Sequence, residues 1–196
     1  MNDNERVDPA TDAVVAVDVQ RDFCPGGALA VPNGDGVVPV LARWLALEDV
    51  FKVLTRDWHP PDHSSFKAQG GPWPPHCVRD TPGAEFHPDL PAERADMIVS
   101  KAVNADAEAY SGFDATDLAR VLHLRGVHRV WVGGLATEYC VKGTVLDAIK
   151  LGLSVCVVSD AIRGIEANPG DCERAREEME EAGATFVTTD EVLPKA

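Results

Sequence analysis

Four reactive side chains follow short apolar runs at four separate places in the chain. Asp18 follows Ala13 to Val17, Asp57 follows Phe51 to Thr55, Lys101 ends Met97 to Lys101, and Cys140 follows Arg129 to Gly133. A thiol is a strong nucleophile once ionised. A carboxylate within hydrogen-bond reach can take its proton, and a nearby ammonium favours the thiolate. Cys140 stands near the start of a helix expected over Tyr139 to Leu151, with Thr137 as the expected N-cap. The positive helix end is expected to lower the thiol pKa. Free backbone N–H groups there suit an oxyanion. No histidine is placed to serve Cys140, so Asp18 and Lys101 are the candidates for base and supporting cation.

A second group offers metal chemistry. In Asp57-Trp58-His59 the alternate residues face one side if the chain stays extended. His76, in Trp73-Pro74-Pro75-His76, can return from the loop that follows. A carboxylate and two imidazoles suit Zn²⁺, Fe²⁺ or Mn²⁺ with positions left open for water or substrate. His63 is a candidate fourth ligand. Cys77 adjoins His76 but reads as structural, as do Cys156 and Cys172.

The elements that must position these groups alternate in type. Strands are expected over Ala13 to Val19, Phe51 to Thr55, Met97 to Lys101, Arg129 to Gly133, Ser154 to Ser159 and Thr185 to Thr188. Several are apolar at consecutive positions, the mark of strands buried on both faces. Helices are expected over Val37 to Leu47, Ala115 to Leu124, Tyr139 to Leu151 and Cys172 to Ala182. Gly126, Gly152 and Gly183 stand where three of them should end. The alternation implies an α/β fold, a single doubly wound domain with a parallel sheet of about six strands and helices on both faces. Such sheets bind ligands outside the carboxyl ends of their strands, where all four reactive residues fall. Trp58 to Asp96 breaks the rhythm. It is rich in proline and carries four of the six histidines, which favours an ordered, site-building loop.

The whole chain has 196 residues, enough for one domain with its own core. Residues 1–11 are expected to form a flexible tail and 12–196 the domain. The five cysteines include no CxxC pair, which argues against a disulfide framework. A net charge of −14 disfavours nucleic acid and anionic membranes as partners. No segment reads as a signal peptide or a membrane span, so a cytoplasmic location is expected.

The motifs resemble those of nicotinamidases, also called pyrazinamidases, in the isochorismatase-like cysteine hydrolase superfamily. The resemblance runs from about Ala13 to about Val187. It is carried by Val17-Asp18-Val19-Gln20-Arg21-Asp22-Phe23, Asp57-Trp58-His59-Pro60-Pro61-Asp62-His63, Trp73-Pro74-Pro75-His76-Cys77-Val78, Ser100-Lys101, Ala109-Tyr110-Ser111-Gly112-Phe113 and Gly134-Leu135-Ala136-Thr137-Glu138-Tyr139-Cys140-Val141. It implies hydrolysis of nicotinamide, and of pyrazinamide, through a thioester on Cys140. Asp18 would be the proton acceptor and Lys101 the supporting cation. One divalent metal ion (zinc, iron or manganese) would bind Asp57, His59 and His76, with His63 or water completing the shell. Phe23 and Trp73 would sandwich the ring and Tyr110 would close the pocket. The backbone N–H groups of Ala136 and Cys140 would form the oxyanion hole, beside a cis peptide at Leu135-Ala136. The expected partner is the small-molecule substrate alone, with a homo-oligomer left open. The runner-up is a metal-independent relative acting on a ureido, carbamoyl or maleamate-type amide. A non-enzymatic metal-binding or thiol-sensing module is a further rival.

Overall fold

The computed structural model describes residues 6–194. Six parallel strands form one sheet in the order β3-β2-β1-β4-β5-β6. They are β1 (Asp12–Val17), β2 (Phe51–Asp57), β3 (Met97–Lys101), β4 (Arg129–Leu135), β5 (Ser154–Arg163) and β6 (Thr185–Val187). The helices are α1 (Val38–Leu45), α2 (Leu118–Leu124), α3 (Lys142–Lys150), α4 (Asp171–Ala182) and the short α5 (Thr189–Val192). Parallel neighbours need crossovers, and the order reverses direction at β1, so the sheet is doubly wound as expected.

Alternation along the strands divides the core in two. On one face Val14, Ala16, Leu54, Trp131 and Val158 pack with Leu41, Trp44 and Leu45 of α1. On the other, Ala13, Val15, Val17, Val130 and Val132 pack with Leu118 and Leu122 of α2, Val145 and Ala148 of α3, and Met179 of α4. Each large apolar side chain buried this way contributes about 1.5–3 kcal/mol. Gly126, Gly152 and Gly183 all have positive φ just past their helices. Among the described residues no helix is long and apolar enough to cross a membrane.

Residues 1–5, the first part of the expected tail, lie outside the described residues. Residues Asp8 to Asp12 form a turn in which Asp8 and Thr11 are hydrogen bonded.

The segment after β2 is ordered by three isolated bridges: Gln20 with Phe86, His59 with Val78, and Phe66 with Trp73. The His59 N–H donates to the Cys77 carbonyl, and the Arg79 N–H donates to the His59 carbonyl. These bonds fold the proline-rich stretch back over the carboxyl edge of the sheet. Asp22 anchors it from below, accepting the Cys77 N–H at 2.7 Å.

Candidate active site

The sheet edge brings Asp18, Asp57, Lys101 and Cys140 together, all buried. Each is delivered by a strand end or the turn after one. β1 stops at Val17 and the chain turns at Asp18 with φ +50. β4 runs to Leu135 and continues through a cis Leu135–Ala136 peptide into a π-helical turn, Thr137–Val141. Gly134 is required beside it: with φ +129, a Cβ there would lie 2.0 Å from the Val17 carbonyl oxygen.

Lys101 is the hub. Its Nζ lies 2.9 Å from Asp18 Oδ2 and 2.5 Å from Asp57 Oδ1, and it donates to Cys140 Sγ at 3.3 Å and to the Ala109 carbonyl at 3.1 Å. Burial alone lowers the pKa of the ammonium, but Asp18 and Asp57 more than reverse this and hold it well above its usual range. It is therefore charged at any ordinary pH. Asp18 Oδ1 accepts the Thr55 hydroxyl at 2.6 Å. Asp18 Oδ2 faces Lys101 as an ion pair but receives no hydrogen bond, so a lone pair is left for an incoming proton. Burial raises the pKa of the Asp18 carboxyl, and Lys101 offsets this only in part, which makes it a better base than a surface aspartate.

Two expectations for Cys140 are overturned. Thr137 does not cap a helix. It lies inside the π-helical turn, and the Ala136 carbonyl takes the N–H groups of both Tyr139 and Val141. The thiol is also not acidified. Burial drives its pKa well above the ordinary value, Lys101 pulls it down, and Asp18 and Asp57 raise it again. Complete burial outweighs one cation that is already shared by two carboxylates. Cys140 rests as a thiol and needs a base, and one oxygen each from Asp18 and Asp57 lies within 4.8 Å of its sulfur.

One ligand atom from each of Asp57, His59 and His76 lies within 4.8 Å of the other two. Their chemistry fits a cation. His59 Nδ1 faces the His76 carbonyl at 2.9 Å, and His76 Nδ1 faces the Pro74 carbonyl at 2.8 Å. A carbonyl can only accept, so both rings carry their proton on Nδ1 and keep the Nε2 lone pair for a metal. Burial lowers the His59 pKa to about 3, which keeps that ring neutral. His63 stands beside His59, with ring centroids 4.3 Å apart, in a second group with Glu108 whose ligand atoms lie within 4.8 Å of one another. Its Nε2 meets the Ala107 carbonyl at 3.2 Å and its Nδ1 meets Ser65 Oγ at 2.8 Å, so both nitrogens have protein partners.

Beside Cys140 lies a tight cavity of about 30 Å³ lined by Phe23, Trp73, Tyr110, His76, Asp57 and Ala136, among others. Trp73 Nε1 donates to the Tyr110 hydroxyl at 3.3 Å, tying two of the walls together. Among the described residues the Ala136 N–H has no protein acceptor, as an oxyanion donor requires. The sequence reading missed Leu29, Tyr139 and Ile165 as wall residues. Leu29 and Ile165 are apolar residues on irregular segments, where no periodicity marks them, and Tyr139 lies in the π-helical turn beside Cys140.

An α/β fold with a thiol, a carboxylate and an ammonium joined at the switch point defines a class of hydrolytic enzymes. The chain belongs to the isochorismatase domain family, whose model matches residues 12–191. It is 39% identical to the nicotinamidase of Escherichia coli, over 90% of this chain and 94% of that protein. The structure of the pyrazinamidase of Pyrococcus horikoshii in complex with zinc is 52% identical with a TM-score of 0.85, covering 90% of this chain and 98% of that one. PnC1 from L. infantum in complex with nicotinate is 34% identical with a TM-score of 0.91, covering 96% and 98%.

Proposed function

We propose that this chain hydrolyses nicotinamide to nicotinate and ammonia through a thioester on Cys140, and that it accepts pyrazinamide as well. The observation that carries the reading is the convergence of Cys140, Asp18 and Lys101 on one small cavity that also presents Asp57, His59 and His76. The nicotinamidase and pyrazinamidase relatives support it.

The amide sits with its carbonyl carbon against Cys140 Sγ. Asp18 Oδ2 takes the thiol proton as the S–C bond forms. Lys101 supports the developing thiolate by its direct contact with the sulfur. The N–H groups of Ala136 and Cys140 hold the oxyanion, and losing one such donor costs about 3–4 kcal/mol of barrier. Asp18 then passes its proton to the nitrogen, the C–N bond breaks and ammonia leaves. Water enters, Asp18 takes a proton from it, and the new C–O bond displaces the sulfur, which recovers its proton. Phe23 and Trp73 hold the ring, with Tyr110 over the opening. A divalent cation on Asp57, His59 and His76 would supply a Lewis-acidic anchor for the ring nitrogen, and zinc, iron and manganese all suit this donor set. A metal-independent amidase acting on an open-chain substrate has no use for two histidines prepared in this way.

The test is ammonia release from nicotinamide. Purified protein should turn it over and Cys140→Ala should release none. Turnover that survives in Cys140→Ala would end the reading.

A further inference from the structure

Glu138 stands two residues before Cys140, yet its carboxylate reaches a different part of the molecule. It is only 8% exposed. Its Oε1 accepts the Glu166 N–H at 2.8 Å, and its Oε2 lies 3.6 Å from Cys172 Sγ. Gly164 makes room for this. A Cβ there would lie 2.1 Å from Cys172 Sγ and 2.5 Å from Glu138 Oε2. Glu166 itself has φ +54, a left-handed conformation that a glutamate adopts only under constraint. Its own carboxylate accepts the N–H groups of Gly170 and Cys172 at the start of α4. Between Gly164 and Glu166 lies Ile165, a wall of the cavity.

One buried carboxylate thus joins two walls. Glu138 belongs to the turn that carries Ala136, Tyr139 and Cys140, and it grips the backbone of the segment that carries Ile165. We propose that Glu138 is a positioning residue that sets Ile165 against the substrate ring and so governs how tightly the ring is held. The inference rests on the amidase reading above.

Kinetics of nicotinamide hydrolysis test it. Glu138→Ala should raise KM about 10-fold, the low end of what apolar pocket contacts are worth, with kcat within about 3-fold. Glu138→Gln keeps an oxygen for the Glu166 N–H and should restore KM to within about 2-fold of wild type. Ile165→Ala should raise KM similarly, and the double variant Glu138→Ala/Ile165→Ala should be no worse than either single one, because both remove the same contact. Should Glu138→Ala not fold, Glu138→Leu fills the volume without the acceptor and carries the same expectations. Unchanged KM, a fall in kcat alone, or additive effects in the double variant would overturn the proposal. Hydrogen exchange at the Glu166 amide separates this from failure of the amidase reading. It should quicken at least about 10-fold in Glu138→Ala whatever the substrate is, and unchanged exchange would overturn the grip itself.

Discussion

Replacing Asp18 by asparagine separates proton transfer from shape. The side chains are nearly isosteric, and an asparagine oxygen can still accept from Thr55, as Asp18 Oδ1 does at 2.6 Å. The effect on the nucleophile is the instructive part. Burial holds the Cys140 thiol well above its ordinary range, so it meets the amide as a thiol. In the native enzyme the proton moves to Asp18, which leaves a neutral carboxylic acid beside the thiolate. The asparagine variant puts a neutral amide beside the same thiolate, so the charges around the attacking sulfur match. Asparagine cannot hand a proton to the departing nitrogen or take one from the hydrolytic water. Those transfers are worth about 10²–10⁴-fold, or about 2.7–5.4 kcal/mol of barrier. Asp18→Asn should lose that much in kcat/KM, measured by ammonia release at pH 7, while iodoacetamide alkylates Cys140 at least as fast as in wild type. Retention of more than about a tenth of the activity would refute the role of Asp18. Alkylation that falls in step with turnover would refute the charge argument, because it would mean that only the geometry of the thiol was lost.

Lys101→Met leaves Asp18 and Asp57 buried without their cation. Breaking a buried pair by removing one partner costs about 3–5 kcal/mol. At about 2–4 °C per kcal/mol for a domain of this size, thermal melting should fall by roughly 6–20 °C. A melt within 2 °C of wild type, on the order of a surface substitution, would contradict the hub role. Dialysis against a chelator should abolish ammonia release and lower the melting temperature by mass action, with both restored by zinc, ferrous iron or manganese. Turnover undiminished in protein shown by elemental analysis to be metal-free would count against the Asp57, His59, His76 site. Gln20→Met tests the support of that site. The Gln20 amide accepts the Asp57 N–H at 2.7 Å and donates to the Asp57 and Ala84 carbonyls at 2.8 and 2.9 Å, extending the ladder past the end of β1. Metal affinity, titrated against a chromophoric chelator, should weaken about 10–100-fold.

Much of this architecture is legible in the sequence because it rests on local pattern. Met97 to Lys101 matches β3 end for end, and Val37, Leu41, Trp44 and Leu45 are all buried as their helical spacing requires. β5 runs on to Arg163, past the expected Ser159, because its pairing with β4 shifts register between Val132 and Gly134 and then resumes at Ile162. A bulge of that kind inserts residues without any compositional mark. That extension leads into Gly164 and Ile165, so the wall residue missed in the sequence follows directly from the strand end missed in the sequence.

The thiol shows why site residues are easier to find than their charge states. Reading along the chain, Cys140 has a helix start and a lysine for company, and both argue for a thiolate. In three dimensions the lysine is already held by two carboxylates, and burial adds a cost to any net charge on sulfur. Ionising the thiol into bulk water would add a negative charge to a buried pocket. Passing the proton to Asp18 leaves the charge of the cluster unchanged. The carboxylate is therefore needed to hold the charge constant as well as to accept a proton, and burial makes the requirement strict.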